Sequence, residues 1–127
     1  MTRKEQLNKL FIDYNLYEED TFKHQHYHII TRSGIDKIQA KAGIKIVYNL
    51  KHYNPDTKTC VIQAIGTHND VIIETFGEAS PANNRNAYPV AIAEKRAMSR
   101  IVLKLTGLYS LGVFGEDESD DFKKSNQ

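Results

Sequence analysis

The chain has 127 residues, 40% apolar and 26% charged, with a formal charge of +1. That length predicts one domain with a modest core, and the composition is that of a soluble globular protein. The sequence begins without a charged-then-apolar leader pattern and holds no apolar run of membrane-spanning length, and the single Cys60 excludes an internal disulfide. A cytoplasmic location and no membrane partner are therefore expected.

The charge is unevenly spread. The segment Glu116–Asp121 (EDESDD) holds five of the sixteen acids, so residues 1–115 carry 15 basic and 11 acidic side chains. The expected division is one α+β domain over 1–115 and an acidic, disordered tail over 116–127. A moderately basic body suits a polyanion partner, and the tail offers a contact for a protein partner.

In chain order, residues 2–12 place Leu7, Leu10 and Phe11 at helical spacing behind Thr2, a cap residue. The acidic, Tyr-rich Asp13–Asp20 reads as a connection. His24, His26 and His28 alternate in HQHYHII and would line one face of a short strand. Three imidazoles invite a divalent metal, but no Cys, Asp or Glu nearby completes a ligand set, so polar edge positions or phosphate and base contacts fit better. Gly34–Ala42 reads as a helix capped by Thr31 or Ser33 and stopped by Gly43. Three strands follow, over Ile44–Tyr53, Lys58–Gly66 and Val71–Phe76, joined by turns at Asn54-Pro55-Asp56 and His68-Asn69-Asp70. Cys60 lies in the second of these strands and reads as a buried structural thiol.

The meander delivers the chain into the loop Gly77–Tyr88, with three Asn, one Ser and Arg85. The longest helix begins at Pro89 and stops at Gly107. At 100° per residue Val90, Ala91, Ala97, Met98, Ile101, Val102 and Leu105 share one apolar arc, while Arg96, Arg100 and Lys104 form a basic ridge opposite. Glu94 projects into the apolar arc. It is read either as a first-turn carboxylate favoured by the helix dipole or as an organiser of Arg85 and the loop asparagines. The expected fold is thus α+β: a three-stranded antiparallel meander with a long C-terminal helix packed across it, preceded by short helices and a short strand.

Enzyme signatures are scarce: no GxxxxGK[ST], GxSxG, CxxC or HExxH occurs, and no catalytic residue, metal or cofactor is expected. Asp70, Glu74 and Glu78 recur at even spacing, which leaves a metal-dependent nuclease as a weak rival. The binding evidence is stronger. Single strands are held by a basic groove that follows phosphates and planar side chains that take bases. Arg85, Lys95, Arg96, Arg100 and Lys104 supply cations; Tyr88, with Tyr48, Tyr53 and the histidines, supplies rings.

The order helix–βββ–helix, the strand end FGEAS and the helix AEKRAMSRIVLKLTGLY resemble the single-strand annealing proteins of phage recombination, the RecT and Erf types and their Rad-fifty-two relatives. The resemblance spans residues 27–110. It implies a DNA-binding protein without ATPase activity that assembles into rings or filaments, with single-stranded DNA in a basic groove. On that pattern Lys95, Arg96 and Arg100 match the basic positions of the helix and Arg85 lies in the matching loop. The chain is short for the group, which favours strand binding over large-ring annealing. Two other readings stay open: a double-stranded RNA module, and a protein-binding adaptor or inhibitor of phage origin.

Overall fold

The computed structural model describes residues 1–24, 27–85 and 87–118. Helix α1 (Arg3–Asp13) starts where Thr2 accepts a hydrogen bond from the Glu5 amide, as the sequence leads one to expect. Two short strands follow, β1 (Thr21–His24) and β2 (Tyr27–Ile30), where one was expected. Helix α2 (Arg32–Ala42) is capped by the Thr31 hydroxyl, which accepts from the Gly34 amide, and ends at Gly43, whose φ of 71° is left-handed. The meander is β3 (Lys45–Asn54), β4 (Thr59–His68) and β5 (Val71–Ala79), and then comes α3 (Pro89–Leu105). After a 3₁₀ turn at Tyr109–Leu111, the chain adds β6 (Val113–Gly115).

These strands form two sheets. One is the expected antiparallel meander in the order β3-β4-β5; the other is β1-β2-β6, with β6 parallel to β2. The sequence reading missed β6 because three residues carry no periodicity and their partner strand lies more than eighty residues upstream. The fold is α+β, as expected: an antiparallel meander against a long helix, preceded by helices and short strands.

Side-chain alternation explains the main layer. Along β4, Cys60, Ile62, Ala64 and Gly66 are buried toward α3, while Val61, Gln63 and Ile65 face the other way. Burial raises the pKa of the Cys60 thiol, in keeping with its expected structural role. Helix α3 crosses β4 and β5 and barely reaches β3. It comes close because β5 carries Gly77 on its inner face: a Cβ there would fall against the Ala93 carbonyl oxygen and the Ala97 amide of α3. Ile30, Ile35, Ile38, Ile101, Val102, Leu103, Leu108 and Val113 belong to one buried cluster around α3. Each such aliphatic side chain contributes roughly 1.5–3 kcal/mol by leaving water.

Helix α3 is therefore covered on two sides, not one. Its buried residues are Pro89, Ala93, Arg96, Ala97, Ser99, Ile101, Val102 and Leu103. Of the expected apolar arc, Ala97, Ile101 and Val102 are buried, Val90, Met98 and Leu105 are half-buried and Ala91 is exposed. Glu94, expected to point into that arc, is exposed. The arc assumed one packing partner; β6 supplies a second, with Gly115 set against Ser99.

The acidic segment was expected to leave the fold at Glu116. Instead Glu116–Glu118 form a 3₁₀ turn packed on α3. Asp117 pairs with Arg32 at 3.0 Å, and Glu118 approaches Arg100 Nε at 3.4 Å. The remaining tail, with Asp120 and Asp121, lies outside the described residues, as does His26.

Candidate nucleic-acid interface

The expected basic ridge divides in the folded chain. Arg96 is only 3% exposed, so it is not an open phosphate contact. Its guanidinium donates from Nη1 to the Glu78 carbonyl at 2.8 Å and to Asn83 Oδ1 at 2.9 Å. Nη2 donates to the Asn83 carbonyl at 2.7 Å, and Nε to the Asp117 carbonyl at 3.2 Å. One side chain thus ties together the end of β5, the polar loop and the acidic turn. A buried cation needs such saturation, since an arginine cannot shed its proton to escape the desolvation cost.

Arg100 is half-buried and also faces inward. It donates to the Phe76 carbonyl and bonds both Glu78 carboxylate oxygens at 3.0 Å, a two-pronged pair. Burial alone would lower its pKa; the Glu78 hydrogen bond and the Glu118 and Glu78 charges outweigh that and raise it. In return, the Arg100 hydrogen bond holds the Glu78 carboxyl below its ordinary pKa. Arg96 and Arg100 together occupy the carbonyls of Glu78 and Phe76 on β5. Lys104 is exposed, but its ammonium lies 3.5 Å from Thr75 Oγ1 and 5.6 Å from the Tyr109 ring centroid.

Arg85 and Lys95 differ from these. Arg85 is exposed, Lys95 is half-buried, and neither has a hydrogen bond or ion pair among the described residues. Between them in sequence stands Tyr88, 71% exposed at the N-terminal cap of α3. The loop that carries Arg85 is not loose. Asn83 Oδ1 accepts from the Ser80 amide at 2.9 Å as well as from Arg96, so a side chain folds the loop back on itself. The candidate site is this junction: two cations without partners among the described residues, and an exposed ring, on a loop held from beneath by Arg96.

The other sequence candidates lie elsewhere. Tyr48 and Tyr53 sit on β3, where burial and the Glu94 and Asp36 charges push the Tyr48 hydroxyl up to about 12. That hydroxyl stays neutral, and its acidic neighbours disfavour a phosphate there. His28 is half-buried, its pKa lowered first by burial and then by Lys23 and Arg3. Among the described residues no three His, Cys, Asp or Glu side chains are placed to hold a metal ion. Of the spaced acids, Asp70 and Glu74 are exposed, and Glu78 belongs to Arg100.

Sequence reasoning did not identify the internal role of Arg96, although a signal was present. Ala93 and Ala97 flank it at helical spacing and face a strand glycine. Two small residues over a glycine bring helix and sheet backbones close, and a long side chain beside them must run along that interface. No family model, curated protein or solved structure matches the chain.

Proposed function

We propose that the chain binds single-stranded DNA at the loop–helix junction and acts in recombination or replication, supporting strand annealing without ATP or another cofactor. The observation that carries this reading is the combination of Arg85 and Lys95, both without partners among the described residues, with the exposed Tyr88 on a loop fixed by Arg96. Cations without internal partners are free to neutralise phosphates, and a projecting ring gives a base a stacking surface. The resemblance to single-strand annealing proteins supports the same reading.

Self-association belongs to the proposal. Strand β3 is a ten-residue edge with Val47 60% and Leu50 61% exposed. Such an edge pairs readily with another strand unless it is covered, and a second copy of this chain is the proposed cover. The opposite edge, on β5, already has the Phe76 and Glu78 carbonyls occupied. A Leu50→Lys substitution is expected to shift the sedimentation coefficient toward that of a monomer.

The direct test measures labelled single-stranded and duplex oligonucleotides across a salt series, with Arg85→Glu/Lys95→Glu alongside. Tight, salt-sensitive binding of single strands that falls in the double variant supports the reading. Binding to neither strand form at low salt overturns it. Preference for duplex RNA would favour the alternative module, for which the order α2-β3-β4-β5-α3 is the supporting observation. Capture of a protein partner through the tail beyond Glu118 remains the adaptor reading, tested by deleting residues 119–127.

A further inference from the structure

A second cationic feature lies away from the loop–helix junction and shares no residue with it. Between α1 and the β1–β2 pair is a half-open cavity of about 610 Å³, large enough for a nucleotide-sized ligand. Arg3, Lys4, Asn8, Lys23 and His28 supply its polar wall, and Phe11 part of its apolar wall. Among the described residues no carboxylate lines it.

Each wall is built by a different constraint. Arg3 is anchored: its Nε and Nη2 both donate to the Leu111 carbonyl, at 2.9 and 2.7 Å, while its Nη1 has no partner among the described residues. An arginine clamped at one edge keeps its remaining donors aimed, so little rotamer freedom is lost when they bind. Lys4 and Lys23 have no hydrogen-bond or ion-pair partner among the described residues. The Phe11 ring meets the His28 ring edge-on, with centroids 6.2 Å apart and planes at 85°. Arg3 and Lys23 both act on the His28 ring, and no acid offsets them there.

Three cations around one concavity, with no counterion among the described residues, repel one another, and a bound anion removes that repulsion. The donors match a phosphate: a fixed guanidinium edge plus two flexible ammonium groups. The volume left beyond a phosphate, beside an aromatic wall and an amide at Asn8, matches a nucleoside body. We propose that this cavity is a binding site for a nucleotide phosphate, with Arg3, Lys4 and Lys23 on the phosphate and Phe11 and His28 against the attached planar ring. The nucleotide is either free or one unit of a strand.

The test is a nuclear magnetic resonance titration of the full chain with inorganic phosphate, deoxyadenosine monophosphate and a short oligothymidylate. Lys4→Glu/Lys23→Glu and Arg85→Glu/Lys95→Glu are run in parallel, and thermal melts check that each variant folds. Saturable shifts at Asn8, Lys23 and His28 with the mononucleotide are expected, tighter than with phosphate alone. They should weaken at least roughly tenfold in Lys4→Glu/Lys23→Glu, as expected when two charge-assisted contacts turn repulsive, and stay unchanged in Arg85→Glu/Lys95→Glu. Shifts at the same residues with oligothymidylate assign the nucleotide to a strand; shifts with the mononucleotide alone assign it to a free ligand. No saturable shift at these residues, or equal binding by a folded Lys4→Glu/Lys23→Glu, overturns the proposal. Because the two variants act on separate sites, failure here leaves the junction reading standing, and the converse holds.

Discussion

Arg96 and Arg100 can be set beside Arg85 and Lys95: four cations within sixteen residues of chain, alike in type and opposite in use. The first pair spend their donors on carbonyls of β5, on the loop, on Glu78 and on the acidic turn. The second pair have no such partners among the described residues. A cation serves the outside only when the fold has not already claimed its hydrogens. By that criterion Arg96 and Arg100 are internal framework, and the loop with the first turns of α3 is the outward surface.

The largest effect should come from removing the framework. Arg96→Met is expected to destabilise the chain by about 3 kcal/mol, because the part-buried carbonyls of Glu78 and Asn83 lose a charged donor. Urea unfolding checks this, and a loss under about 1 kcal/mol would show that Arg96 is less committed inward than its contacts indicate. Gly77→Ala should cost about 2 kcal/mol by pushing α3 off β5 and stretching the Arg96 bonds, read as a lower unfolding midpoint with unchanged slope.

Arg85→Glu/Lys95→Glu should behave in the opposite sense. Its stability should stay within about 0.5 kcal/mol of the parent, while single-strand affinity falls about tenfold or more at low salt. The slope of log affinity against log salt should shrink by roughly 1.4, the value for two phosphate contacts on a single strand. A stability loss as large as that of Arg96→Met would erase the distinction between the two pairs.

The smallest effect concerns pH. The Glu78 carboxyl is held below its ordinary pKa, first by the Arg100 hydrogen bond and then by the Arg100 and Arg96 charges, against opposing desolvation. Its contribution is therefore present above the unfolded pKa and lost as pH falls through the folded one. Glu78→Gln should be less stable than the parent at neutral pH by well under 1 kcal/mol, since Glu78 is about half exposed and solvent screens the pair. That gap should close as the pH falls below the ordinary glutamate range. A gap that persists at pH 3 would assign the difference to something other than the ion pair.

Much of this architecture was legible in the residues. Thr2, Thr31 and Gly43 mark helix ends because a side-chain oxygen or a left-handed residue must satisfy the orphan backbone groups there. Asn54 closes the expected Asn54-Pro55-Asp56 turn through its own side chain, accepting from the Asp56 amide at 2.9 Å. The meander and the long helix followed from alternation and from Pro89 and Gly107. The candidate site was less legible: Arg85 and Tyr88 are exposed and Lys95 is half-buried, whereas Arg96 and Arg100 beside them turn inward.

The sequence by itself determined the elements and their ends, because strand alternation, helix periodicity and capping act over a few neighbouring residues. Only the tertiary structure decided which cations face inward. The partners of Arg96 lie 13 to 21 residues away along the chain, and one of them, Asp117, belongs to a turn that is held in place by packing on α3. A helical wheel assigns one inside and one outside. With β5 on one flank of α3 and β6 and the acidic turn on another, Arg96 lies inside, a placement that no local pattern encodes.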